Sequence, residues 1–198
     1  MNAAEQVFAN RGYTRASFGE IGKRAKVTQA LVNYYFISKE RLFKEVYLRR
    51  AREISKARLE ALEALKRRDT PFDLSELLSA FLSPAFAVGR QRGGKAFLRL
   101  QWRLLHSEPP RFAKVLHREA YDETARRYVA AICNLVPTLS KKAAFWRIVF
   151  VVGIFAYINS DTHRLEEVSQ GLCSAKDPDE MLAQAKAFIL GGMLVPDV

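Results

Sequence analysis

Residues 12–43 of the chain read GYTRASFGEIGKRAKVTQALVNYYFISKERLF, and they hold three helix starts separated by very short breaks. No other stretch restricts the fold as tightly. Ser17 stands three residues before Glu20, the S-x-x-E spacing in which a hydroxyl and a carboxylate cap a helix reciprocally, so a helix is expected from Phe18. Ile21 and Ala25 then share a face with Phe18 a turn earlier. Val27-Thr28 makes a tight break. Thr28 caps a second helix carrying Leu31, Val32 and Tyr35, and Ser38 caps a third, longer one. Two short helices joined by so short a turn form a helix-turn-helix, whose second helix fits the DNA major groove. The expected recognition helix is 28–35.

The side chains on that helix suit base reading. Gln29 and Asn33 are four residues apart and share a face, and their amides can pair bidentately with adenine edges. Thr28 lies at the helix N-terminus, where a hydroxyl and backbone N–H groups can hold a phosphate. Tyr34 offers a phenol at the far end, and Lys39 follows the Ser38 cap as a point charge for the DNA backbone. The bland alternative is that Thr28 and Ser38 are only caps and that Gln29 and Asn33 are a solvated face.

From Ala4 to Val46 the chain resembles the tetracycline-repressor (TetR) family of transcriptional regulators. The resemblance is carried by Ala4, Phe8, Gly12-Tyr13, Ser17, Ile21, Ala25, Val27-Thr28, Tyr34, Phe36, Ser38-Lys39-Glu40 and Leu42. It implies an all-α homodimer with an N-terminal DNA-binding domain, expected at 1–46, and a C-terminal ligand-binding and dimerisation domain, expected at 47–198. The DNA-contacting set it implies is Ser17, Thr28, Gln29, Ala30, Asn33, Tyr34 and Lys39. The chain departs from the family pattern at Ala30, where members often carry Gly, at Ile37, where a small or polar residue is usual, and at Asn33, where many carry Tyr. Members often have a basic arm ahead of the first helix. Here Met1 stands almost inside it, so either the arm is absent or the sequence begins late, and minor-groove contacts are not assumed.

Charge agrees with a polyanionic partner. The 198 residues carry a formal net charge of +11. Residues 1–50 hold ten Lys/Arg against four Glu, a formal +6 around the helix-turn-helix itself. The two cysteines, Cys133 and Cys173, form no CxxC and no metal spacing, so reduced thiols in a cytoplasmic protein are expected, with no metal and no cofactor. The longest apolar stretch, Ile148–Ile158, is too short to span a bilayer, so no membrane partner is expected.

Helical periodicity runs through the whole chain and predicts about nine helices, at 2–11, 18–25, 28–35, 38–67, 73–88, 94–107, 110–135, 140–162 and 178–193. Asp73-x-x-Glu76, Gly93-Gly94, Pro109-Pro110, Pro137 and Asp177-Pro178 mark the starts and stops. Residues 163–176 are polar and are expected as a loop or frayed turn. The domain boundary falls inside the long fourth helix, a stiff link between the two domains.

The last two long helices are apolar on more than one face and must be buried on several sides. Phe145, Ile148, Val149, Val152 and Phe155, with Met181, Leu182, Ala185, Phe188 and Ile189, are expected at a homodimer interface, the alternative being a core within one subunit. The candidate pocket residues are Phe97, Leu100, Trp102, Leu104, Phe112, Leu116, Tyr121 and Phe150, for each of which ordinary core packing is the alternative. Arg99 and Arg103 share a helix face and offer an anion site for a carboxylate or a coenzyme A phosphate. Trp146-Arg147 and Phe150-x-x-Gly153 resemble members that sense fatty acids or acyl thioesters.

Two functions of different class follow. The first is a ligand-responsive repressor that binds a pseudo-palindromic double-stranded operator and is released by a small apolar or amphipathic effector, such as a fatty acid, an acyl thioester or an aromatic compound. The second is a helical small-molecule-binding protein or enzyme using His117 or His106 as acid–base groups. No H-E-x-x-H, G-x-S-x-G or His-carboxylate constellation supports the second.

Overall fold

The computed structural model describes residues 1–159 and 163–197. The described residues form ten helices: α1 (Asn2–Arg15), α2 (Phe18–Ala25), α3 (Gln29–Phe36), α4 (Lys39–Lys66), α5 (Leu74–Arg90), α6 (Gly94–His106), α7 (Pro110–Leu135), α8 (Lys141–Ile158), α9 (Arg164–Val168) and α10 (Pro178–Leu194). The fold is all-α, as expected. The expected caps are in place: Thr28, Ser38 and Asp73 each accept the backbone N–H three residues on, and Asp177 accepts from Asp179 and Glu180.

Most boundaries fall within two residues of expectation, and the larger departures have local causes. The first helix, expected to stop at 11, runs to Arg15 across a kink at Gly12, whose φ of 73° suits only a residue without a Cβ. The Glu108 carboxylate, buried at the start of α7, accepts the Tyr13 N–H at 3.1 Å and secures the displaced turn. The expected loop at 163–176 contains α9, closed by Glu166, whose carboxylate accepts Ala175 N at 3.0 Å and Ser174 Oγ at 3.2 Å. The helix expected at 140–162 ends at Ile158, where Asn159 caps it and its N–H returns to Phe155 O; residues 160–162 of that expectation lie outside the described residues.

Two apolar clusters hold the molecule. The first joins α1 to α4, α6 and the start of α7 through aromatic rings: Phe8 meets Phe43 edge-on at 5.1 Å, and Tyr13 lies 4.7 Å from Phe112. Each such buried ring contributes roughly 1.5–3 kcal/mol of transfer energy. The second cluster packs Leu62 of α4 against Leu77, Phe81 and Leu82 of α5, Tyr128 and Ile132 of α7, Ile148 and Val151 of α8, and Ile189 and Met193 of α10. Inside α5, Pro84 removes one helical hydrogen bond. Nearby, the Phe81 carbonyl accepts the Arg58 Nε–H of α4 at 2.7 Å, and the Arg58 guanidinium lies 3.9 Å above the Phe81 ring. Burial pulls that guanidinium down to about 10.

Candidate nucleic-acid interface

Helices α2 and α3 meet at the Lys26–Thr28 turn. Lys26 adopts a left-handed conformation (φ 58°) that ends α2, and the Val27 N–H returns to Gly22 O at 2.9 Å. The turn is this tight only because Gly22 has no side chain. A Cβ there would stand 2.9 Å from Val27 O and 3.3 Å from Gln29 N. Ser17 Oγ accepts the Glu20 N–H at 3.2 Å, but the Glu20 carboxylate turns to Arg11 Nε at 3.2 Å, so the reciprocal half of the expected capping box is not made.

Helix α3 buries Val32, half-buries Phe36 and leaves its other residues exposed. Gln29, Ala30 and Asn33 are exposed, and Tyr34 keeps 79% of its surface. Leu31 and Tyr35 are exposed as well, because α3 sits on the protein through Val32 and half-buried Phe36, four residues apart. Tyr35, exposed at 65%, packs edge-on against Tyr34 and is a surface aromatic that hydrophobic periodicity had hidden. A short helix offering two amides and two phenols to solvent, anchored at one edge, has the form of a groove reader.

Lys39 behaves differently from the expected free point charge. Its ammonium donates to the Thr14 and Ala16 carbonyls at 3.1 and 3.0 Å and lies 4.7 Å over the Tyr13 ring, so it closes the C-terminal end of α1. Ser17 and Thr28 spend their hydroxyls as caps and remain exposed.

Charged side chains clamp α1 to the rest of the molecule. Glu5 is fully buried and accepts from Arg49 and Arg50 of α4 at 2.9 and 3.1 Å. Arg50 continues to Gln91 Oε1 and the Arg92 carbonyl, both at 2.7 Å, in the α5–α6 turn. Arg103 of α6 donates to the Ala9 and Asn10 carbonyls of α1 at 2.7 and 3.0 Å.

The expected pocket residues do not gather around one cavity. Phe97, Leu100, Leu104, Phe112 and Leu116 are buried in the first cluster. Trp102 stacks on His106, Tyr121 accepts from Gln101 Nε2 at 2.9 Å, and Phe150 is exposed on α8. Arg99 and Arg103 share a helix but part company, Arg103 going to α1 while Arg99 lines an apolar cleft of about 460 Å³. That cleft also has Phe86, Leu98, Ile158 and Met181 on its walls, with Lys95, Arg164 and Lys176 at its polar side. Of these only Arg99 and Met181 were singled out in the sequence, the latter for dimerisation. His106 and His117 line neither this cleft nor each other's surroundings: His117 stands between the Tyr47 and Tyr121 rings, 6.4 and 6.1 Å away.

The two apolar C-terminal helices divide their residues. Ile148, Ala185 and Ile189 are buried within the subunit, Phe155 packs on Phe86 at 5.2 Å, and Met181 and Leu182 are half-buried. Phe145, Val149, Val152 and Phe188 face outward, together with Trp146 and Phe150, each 58% exposed. Gly153, Gly191 and Gly192 have no neighbouring atom within 4 Å of where a Cβ would be, so this face admits a close backbone approach. No helix among the described residues is long and apolar enough to cross a membrane.

Residues 1–46 match the family described as bacterial regulatory proteins, tetR family, and residues 79–192 match the tetracyclin repressor-like C-terminal domain. No curated protein matches the chain. Among solved structures, it is similar to the regulator FadR from Bacillus subtilis in complex with stearoyl-CoA, with a TM-score of 0.68 at 14% identity over 96% of each chain. It is also similar to PfmR from Thermus thermophilus, with a TM-score of 0.61 at 15% identity over 97% of this chain and 95% of that one. The fatty acid degradation regulator FadR from Bacillus halodurans gives a TM-score of 0.58 at 16% identity over 96% and 91%.

Proposed function

The chain belongs to the tetracycline-repressor family of DNA-binding transcription regulators, and on that footing we propose that it is a repressor released from its operator by an amphipathic anion. The observation that carries the DNA half of this reading is α3: an exposed helix with Gln29, Asn33, Tyr34 and Tyr35 outward and little but Val32 holding it down. Residues 1–46 act as the DNA-binding unit and the remainder as the effector and dimerisation unit. Gln29 and Asn33 read base edges, while Ser17, Thr28, Ala30 and Tyr34 pack along the phosphates.

The dimer uses the outward face of α8 and α10. An apolar strip containing Trp146, Val149, Phe150 and Phe188 beside three bare glycines is an unusual surface for a monomer. A second copy of this chain covers it by the same face, which a two-fold interface requires. Two copies of α3 then stand one DNA turn apart, about 34–36 Å, and the operator is an inverted repeat.

The effector occupies the cleft between α5, α6, α8 and α10, its apolar body against Phe86, Leu98 and Met181 and its charge toward Lys95 and Arg99. The B. subtilis FadR structure holds an acyl thioester of this general character. Reciprocity then holds: if the effector weakens DNA binding, DNA weakens effector binding by the same factor.

The test is to select DNA sites from a random pool and then titrate stearate and stearoyl-CoA against the protein bound to the enriched site, following fluorescence anisotropy. The reading expects release, abolished by Met181→Trp, which fills the cleft. Release that Met181→Trp leaves intact contradicts the cleft assignment. No release by either compound contradicts the effector class.

A further inference from the structure

A second cleft, of about 430 Å³, opens on the other side of the Lys95 and Arg99 side chains. It lies at the junction between the helix-turn-helix and α6, with Gln6 and Asn10 of α1 and Arg24 of α2 on one wall and Lys95 and Arg99 on the other. The two clefts share Gly89, Lys95 and Arg99. One is walled by apolar side chains. Among the described residues, the other is lined by three cations and by neutral polar side chains, and by no carboxylate.

We propose that this junction cleft binds a phosphate group, the charged end of an effector whose apolar body lies in the neighbouring cleft. The proposal rests on the effector reading above and adds to it the chemistry of the headgroup and the element it touches.

Three observations support it. First, the cations are available. Arg99 Nε is buried without a hydrogen-bond partner, and Lys95 makes no ion pair among the described residues. Among the described residues, Arg24 donates only to the neutral Gln6 Oε1, from Nε at 2.7 Å and from a second nitrogen as well. Second, no acid competes inside the junction cleft. Glu5, beneath the Gly93 turn, is ion-paired with Arg49 and Arg50, and Glu166, whose carboxylate accepts from Ser174 and Ala175, lines the apolar cleft and not this one. Third, the cations come from two directions, α2 and α6. A carboxylate presents two oxygens in one plane and a single charge. A phosphate presents three oxygens and up to two charges, which lets guanidinium groups from opposite walls bond it at once.

The arrangement also says what the headgroup does. Arg24 belongs to the first helix of the helix-turn-helix, whereas Lys95 and Arg99 belong to α6. A phosphate bound between them draws α2 toward α6 and fixes the orientation of the DNA-binding helices. An effector lacking phosphate fills the apolar cleft without this link.

The experiment is calorimetric titration of the full-length protein with stearoyl-CoA, stearate, coenzyme A and inorganic pyrophosphate, in the wild type and in Arg24→Gln. Lys95→Gln serves as a second variant, and both side chains are exposed, so the fold is retained. The proposal expects stearoyl-CoA to bind at least about tenfold more tightly than stearate, one charge-assisted contact being enough for that ratio. Arg24→Gln then reduces stearoyl-CoA binding about tenfold and leaves stearate unchanged, since Arg24 lines only the junction cleft. Equal affinities for stearate and stearoyl-CoA, or a stearoyl-CoA affinity indifferent to both variants, overturns it. If neither chain-bearing compound binds, the effector reading fails, and pyrophosphate decides the anion site alone. Binding that Arg24→Gln weakens supports the site, and no binding overturns it.

Discussion

The Arg50 guanidinium holds the fully buried Glu5 carboxylate with its Nε at 3.1 Å and, with its two terminal nitrogens, the Gln91 side chain and the Arg92 carbonyl. One side chain of α4 thereby joins α1 to the α5–α6 turn. The long helix is therefore not the only link between the two halves. Arg103 and Glu108 make a second clamp on the far end of α1, so α6 and its flanking turns grip the DNA-binding helices at both ends.

Glu5→Gln should lower the unfolding free energy by about 3 kcal/mol, because it leaves two guanidinium groups facing a neutral amide in a buried site. Urea unfolding followed by circular dichroism measures it. A change within about 0.5 kcal/mol would show that the clamp contributes nothing net.

Ile37 sits at φ 57°, ψ −47°, between the Phe36 carbonyl and the Ser38 N–H that are bonded across it. This is a γ-turn at a β-branched residue, a strained conformation that costs on the order of 1–3 kcal/mol. Ile37 is 72% exposed, so little apolar burial offsets the strain. Ile37→Gly should raise stability by about 1 kcal/mol, read as a higher thermal midpoint. A lower midpoint would mean the side chain contributes a contact that outweighs the strain.

Gly22→Ala places a Cβ 2.9 Å from Val27 O, and backbone cannot yield as a flexible side chain does. The α2–α3 turn must open, at a cost of roughly 1–3 kcal/mol, and DNA affinity should fall with stability. Unchanged affinity for the selected operator would show that the turn has slack.

Burial holds the His117 imidazole below the usual histidine value, with Asp122 acting weakly against it. The unfolded chain therefore takes up this proton first. Stability is full above the unfolded value, near 6.5, and is lost as pH falls through it toward the lower folded value. Unfolding free energies at pH 7.5 and 5.5 should converge in His117→Gln relative to the wild type, and equal pH slopes in the two proteins would contradict this.

Val149→Glu or Phe150→Glu places a carboxylate on the outward face of α8. Light scattering should report a monomer where the wild type is a dimer, and operator binding should weaken sharply because each α3 then binds its half-site alone. A dimer in both variants would move the interface elsewhere.

The helix starts of the N-terminal third were legible because their punctuation is local: Ser17, Thr28 and Ser38 each accept a backbone N–H three residues on, whereas the Gly12 kink, secured by Glu108, was not. The caps of α5 and α10 were legible for the same reason. The pocket was not. Leu100 and Leu104 are as apolar as Leu98, yet only Leu98 reaches the cleft, because which face of α6 meets α1 depends on Arg103 finding carbonyls in a distant helix. The contacts of Lys39 within the protein were not legible, because its two carbonyl partners lie more than twenty residues away. Leu31, Val32 and Tyr35 look alike in the sequence, because periodicity marks which residues are apolar and cannot tell the buried Val32 from the exposed Leu31 and Tyr35.

The central claim is that α3 reads DNA through Gln29 and Asn33. The direct measurement is site selection from a random duplex pool at near-physiological salt, run in parallel with the wild type and a Gln29→Ala/Asn33→Ala double variant. The account predicts that the wild type enriches an inverted repeat with half-site centres about one helical turn apart, and that the variant loses base preference at matching positions in both half-sites while keeping salt-dependent, unselective binding. The same motif enriched by both proteins would contradict it.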